Sequence, residues 1–263
     1  MGRVISFSNF SGYYANKQRE VGFCSGAILD TNILISLTYD VKSDHDEVFE
    51  FVSSIDRFNI PYFTTVTTRS EYLDFYRRLM LTENLLTIAD GFSSLKIAKR
   101  ERSEIKTKEG LIGTRQARKP GTDRIFTDSD LKDIKRVFSA APFSGHHGWL
   151  KVCSAILSGR LLLAEAALND FGVAYISQHK EAQKPFFTRK IDWPDARNIS
   201  EKTGLGLSDS MILNALQCSR FSFVIRADFD VGYAVLADPN MKDAVMPDSV
   251  AKKYRDYHFS ETP

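Results

Sequence analysis

Residues 26–40 read GAILDTNILISLTYD, and the reading of this stretch decides the fold. Three apolar residues, Ala27-Ile28-Leu29, meet a carboxylate, a hydroxyl and an amide in Asp30-Thr31-Asn32. Apolar character then returns at once with Ile33-Leu34-Ile35. A short apolar run bounded by Gly26 suits a buried strand, and the residues from Ile33 onward predict a helix, with Asp30 to Asn32 as the turn between them. In an open α/β sheet such a turn lies beyond the C-terminal end of its strand, where ligands bind.

The same alternation continues along the chain. Ser43 and Asp46 have the spacing of a capping box ahead of VFEFVSSIDRF. PYFTTV, opened by Pro61, reads as a second strand, and Ser70-Glu71 as the start of a helix through YLDFYRRLM. Further on, WLKVCSAILSGRLLLAEAAL is a long amphipathic segment leading into the strand candidate GVAYIS. A polar stretch holding Trp193-Pro194 precedes Ser208-Asp209, which opens the helix SMILNALQC. FSFVI reads as a fourth strand and runs into Arg226-Ala227-Asp228-Phe229-Asp230. No internal repeat is visible. Strands alternating with helices predict a parallel sheet covered on both faces.

The 263 residues suffice for one large domain or two small ones. No uninterrupted apolar run approaches the roughly 18 residues of a transmembrane helix, so no membrane association is expected. The first twenty residues lack the apolar segment and cleavage site of a signal peptide. Three scattered cysteines, Cys24, Cys153 and Cys218, form no CxxC pair, which fits a reduced cytoplasmic setting and argues against a thiolate zinc site. The net charge of +2 hides a division. From Lys96 to Arg124 ten Lys/Arg face four Asp/Glu, a balance of +6, so the remainder carries −4. That basic segment, with Lys96, Lys99, Arg100, Arg115, Arg118 and Lys119, is the candidate contact for a nucleic-acid backbone.

Four organisational segments follow. Residues 1–25 read as an N-terminal extension whose aromatics Phe7, Phe10, Tyr13 and Tyr14 pack against the domain. Residues 26–250 form the domain, with a basic insertion at about 84–140, and 251–263 a C-terminal tail. Within the insertion IAKRERSEIKTKEG reads as helical, GLIGTRQARKPGTDR as a loop, and Asp128 or Ser129 as the cap of DLKDIKRVFSA.

Asp30 and Asp228 lie just past predicted strands, while Glu71 and Asp209 lie in predicted first helical turns. Carboxylates gathered at one sheet edge repel unless a cation intervenes. Oxygen donors without His or Cys suit Mg²⁺ or Mn²⁺. Such ions activate water and stabilise the leaving oxygen in phosphodiester hydrolysis.

ILDTNILIS, TTRSEYL, LGLSDSMILNAL and VIRADFD, which carry these acids in order, resemble the motifs of PIN-domain ribonucleases. That family includes the toxin subunits of many bacterial toxin–antitoxin pairs. The likeness covers about 26–80 and 150–248. It implies a three-layer α/β/α sandwich around a mostly parallel twisted sheet, and metal-dependent cleavage of RNA. By position it implies metal ligation by Asp30, Glu71, Asp209 and Asp228, with Asp230 as an auxiliary acid. Thr31, Asn32 and Arg226 would stand behind the ligands, with Asn32 orienting Asp30 or water. An antitoxin or a second copy of the chain is the partner it suggests. Where the family often has Thr or Ser two positions before its fourth acid, this chain has Arg226, read as a phosphate contact or as the mark of an altered pocket. The same arginine admits the alternative of a non-catalytic PIN-like module that binds RNA or protein. An aspartyl-phosphate phosphatase is disfavoured by Asn32, where that chemistry wants a second Asp. P-loop and dinucleotide-binding readings lack their glycine motifs.

Overall fold

The computed structural model describes residues 2–119, 122–140 and 145–256. The chain divides into two compact units, Met1–Tyr72 with Leu168–Pro263, and Leu73–Ala167.

The first unit is a three-layer α/β/α sandwich around a six-stranded, wholly parallel sheet. Its strands are β1 (Val4–Ser6), β2 (Ala27–Leu29), β3 (Tyr62–Thr64), β4 (Val173–Tyr175), β5 (Phe223–Ile225) and β6 (Asp243–Met246). They lie in the order β1-β6-β5-β2-β3-β4. From β2 the chain steps outward through β3 to β4, then returns to place β5 on the other side of β2. The switch point therefore falls between β2 and β5, and the region beyond their C-terminal ends is where open α/β sheets bind ligands. The inner strands β2, β3, β5 and β6 are buried at every position, as helix-covered parallel strands must be. Ile28, Val224 and Ala244 pack with Ile212, Leu213, Leu216, Val231 and Val235 of the covering helices. Gly26 enters β2 with φ +152°, and any side chain there would run into the Phe221 ring.

Several sequence expectations need correction. Residues 1–25 are part of the sandwich: β1 pairs with β6 along the sheet edge, and Phe10 and Tyr14 are fully buried against Phe51, Phe58 and Phe223. Strands of three or four residues such as β1 and β6 carry too little periodicity to be read alone. The helix holding Glu71 starts at Val66 and runs to Ala89, so Glu71 lies in its second turn. Helix Thr31–Thr38 begins directly after Asp30, and His45–Ile55 is preceded by Asp44 rather than Ser43. The polar stretch at Trp193 is a helix, Trp193–Thr203, with Asp192 capping it and Pro194 in the first turn, where the missing N–H is harmless. Residues 251–256 continue in helical turns, and the rest of the expected tail lies outside the described residues.

The second unit is helical and broader than the expected insertion. The loop expected at 110–118 is helix: Lys99–Arg118 is continuous, with Ile105 and Ile112 buried at i and i+7. Helix Asp128–Ser139 is capped by Thr127, not by Asp128 or Ser129. Thr127 and Asp130 form a reciprocal capping box. Phe126, Ile134 and Leu85 complete a core with Ile105 and Ile112. The long amphipathic segment is two helices, Gly145–Leu157 and Arg160–Asp170, separated at Gly159, where φ is +73°. Among the described residues, His147–Asp170 is the one stretch long and apolar enough by composition to cross a membrane, with mean hydropathy 1.3 and 22% of that window buried.

Candidate functional site

The site grows out of strand register. Leu29 of β2 stands opposite Ile225 of β5, so the next residues, Asp30 and Arg226, leave the sheet side by side. The Asp30 N–H donates to the Ile225 carbonyl at 2.9 Å, and the Arg226 N–H to that of Val245 at 3.0 Å. Both side chains are enclosed, Arg226 completely.

A buried guanidinium requires negative partners, and three supply them. The Arg226 Nη2 lies 2.7 Å from Asp209 Oδ1, to which it donates a hydrogen bond. It lies 3.5 Å from Asp30 Oδ2 and 3.8 Å from Asp228 Oδ2. Each carboxylate sits at a helix N-terminus, where the unpaired N–H groups favour negative charge. Asp30 precedes Thr31–Thr38, Asp209 occupies the first turn of Leu207–Cys218, and Asp228 caps Phe229–Ala237 by accepting from the Asp230 N–H.

Burial pushes the Asp30 carboxyl above its ordinary range. Arg226 opposes that rise, and the like charges of Asp209 and Asp228 reinforce it. For Arg226 burial works against the charge, but the carboxylates of Asp30, Asp209 and Asp228 outweigh it and raise its pKa. The guanidinium is nonetheless incompletely satisfied: among the described residues its buried Nε and Nη1 have no hydrogen-bond partner.

The remaining expected site residues divide. Glu71 is drawn in through Thr31, whose hydroxyl donates to Glu71 Oε2 at 2.6 Å. Thr31 therefore orients the Glu71 carboxylate. Among the described residues the half-buried Asn32 side chain makes no hydrogen bond to Asp30. Asp230 is exposed in the first turn of its helix, and it joins the cluster through its backbone N–H, which donates to Asp228. Arg226 is no phosphate contact as placed, because its side chain is sealed from solvent and already paired. Sequence reasoning noticed this arginine but missed its central role. The available signal was its position, directly continuing an apolar strand.

Three carboxyl groups thus face one guanidinium. Oxygen-only donors of this kind are the ligand chemistry of a hard divalent cation. As placed they converge on Arg226, and among the described residues no three acidic, His or Cys side chains are grouped to hold a metal.

Of the basic residues, Lys96, Lys99, Arg100, Arg118 and Lys119 are exposed on the second unit. Arg115 instead pairs with buried Asp130 at 2.8 Å. No family model, curated protein or solved structure matches the chain.

Proposed function

We propose that this chain is a divalent-metal-dependent ribonuclease of PIN-like type, hydrolysing RNA phosphodiester bonds at the pocket between β2 and β5. One observation carries the reading: carboxylates that open three different helices, Asp30 far in sequence from Asp209 and Asp228, meet at one guanidinium nitrogen at the sheet's switch point. Asp30, Asp209 and Asp228 would hold Mg²⁺ or Mn²⁺, with Glu71 aligned by Thr31. A bound ion of this kind supplies Lewis acidity and lowers the pKa of water. Each of the three acids stands at a helix N-terminus, whose free N–H groups favour negative charge there. The exposed cations of the second unit supply the phosphate contacts that RNA affinity requires.

The test is cleavage of labelled RNA in Mn²⁺ by the wild type, Asp30→Asn and Asp209→Asn, each checked for folding by circular dichroism. Cleavage by the wild type, and its loss in both variants and in EDTA, is expected. Undiminished cleavage by either variant, or in EDTA, would sink the mechanism. A second reading, a non-catalytic module binding RNA or protein, is favoured by one observation: a buried arginine already partly neutralises the acids. RNA binding without turnover by a wild type that takes up no Mn²⁺ is its signature. An antitoxin or a second copy of the chain is the protein partner proposed under either reading, and a cytoplasmic setting accords with both.

A further inference from the structure

We infer that Arg226 is a built-in rival of the divalent ion: its guanidinium occupies the carboxylates that the ion needs, so the wild-type pocket fills only at elevated ion concentration. This rests on the nuclease reading of the pocket and adds to it how occupancy is set.

At Asp228, Oδ1 accepts the Asp230 N–H at 2.9 Å and Oδ2 faces Arg226 at 3.8 Å. The nearest oxygen of Asp209 is hydrogen-bonded to Nη2, and Oδ2 of Asp30 faces the same nitrogen. Ligands of Mg²⁺ sit at about 2.0–2.1 Å, so an ion using these oxygens comes against Nη2. Two cations so close in an enclosed site repel strongly. The arginine has no alternative exit to water either, because its side chain is completely buried. Occupancy therefore requires the carboxylates to turn from the guanidinium or the guanidinium to move.

Two features keep that exchange within reach. Among the described residues Nε and Nη1 lack partners, so the buried arginine is held by one nitrogen rather than by a full set of hydrogen bonds. Three carboxyl groups gathered around one guanidinium favour a dication over the single charge of the arginine. Arg226 thus acts as a structural counter-ion when divalent ions are scarce, offsetting the repulsion between the buried Asp30 and the partly exposed Asp209 and Asp228.

The experiment is Mn²⁺ titration of the full chain, followed by electron paramagnetic resonance and by thermal unfolding. It compares the wild type with Arg226→Gln, Arg226→Ala and Arg226→Lys. The neutral variants are expected to bind Mn²⁺ about tenfold or more tightly than the wild type, since a like charge has been removed from the ion's place. They should melt lower than the wild type without Mn²⁺ and gain more on its addition. Arg226→Lys, which keeps the charge, should stay close to the wild type. Equal Mn²⁺ affinity in wild type and neutral variants overturns the inference. So does failure of both neutral variants to fold in excess Mn²⁺, because the ion then does not replace the side chain. RNA cleavage separates the two proposals. Tight Mn²⁺ binding by the neutral variants, with no turnover in them or in the wild type, leaves the rivalry standing and removes the nuclease. Mn²⁺-dependent cleavage with equal affinities does the reverse.

Discussion

Asp209 makes the shortest contact with Arg226, and its side chain is 30% exposed while that of Asp30 is 4% exposed. Asp209→Asn removes a charge from the guanidinium but retains a carbonyl acceptor. We expect a loss of about 1–2 kcal/mol in urea unfolding, below the several kcal/mol of a fully buried pair, because Asp30 and Asp228 remain. Thr31→Val deletes the hydroxyl bonded to Glu71 with little change of volume. It should cost about 1 kcal/mol by the same measurement and lower Mn²⁺-dependent cleavage, because Glu71 loses its orientation. A Thr31→Val protein with unaltered cleavage would show that Glu71 needs no such alignment.

At the scale of elements, helix Asp128–Ser139 depends on its first turn. Asp130 is buried, closes the capping box with Thr127 and pairs with Arg115. Asp130→Ala forfeits all three roles and should destabilise the second unit by about 2–4 kcal/mol, read as faster amide exchange within Leu73–Ala167. Arg115→Ala is accordingly expected to act on stability rather than on RNA affinity. At the start of β6, Lys242 donates to the carbonyls of Leu216 and Ser219, and burial lowers its pKa from 10.5 to about 8. A base depressed in the folded state releases its proton there first. Between about 8 and 10.5 the unfolded chain then binds more protons, and stability rises with pH. Thermal unfolding of wild type against Lys242→Met should show the wild type gaining on the variant across that window. A constant difference would refute the assignment.

For the whole molecule, RNA affinity and fold integrity draw on different residues. Replacing exposed Lys96, Lys99 and Arg100 together by Ala should weaken RNA binding across sequences and flatten its salt dependence, with folding unchanged. Removing residues 2–17 has the opposite character. It strips β1 from β6, deletes buried Phe10 and Tyr14, and leaves Asp243 without its bonds to Arg3 and Tyr13. That truncation should abolish folding, measured as loss of the cooperative thermal transition.

The sequence by itself determined the alternation of strands and helices, the parallel sheet, and the placement of Asp30 and Asp228 beyond strands. These rest on local signals, such as the apolar runs that precede Asp30 and Asp228, which neighbouring residues carry. The Gly110–Arg118 helix was less legible, since its glycines and charges resemble a loop until Ile105 and Ile112 find a core. Only the tertiary structure decided that β1 and β6 close one edge, that Thr31 reaches Glu71, and that the buried Arg226 bonds Asp209. Each of these depends on register between segments far apart in the chain. The pairing of Leu29 with Ile225 turns two unremarkable strand endings into a buried ion cluster.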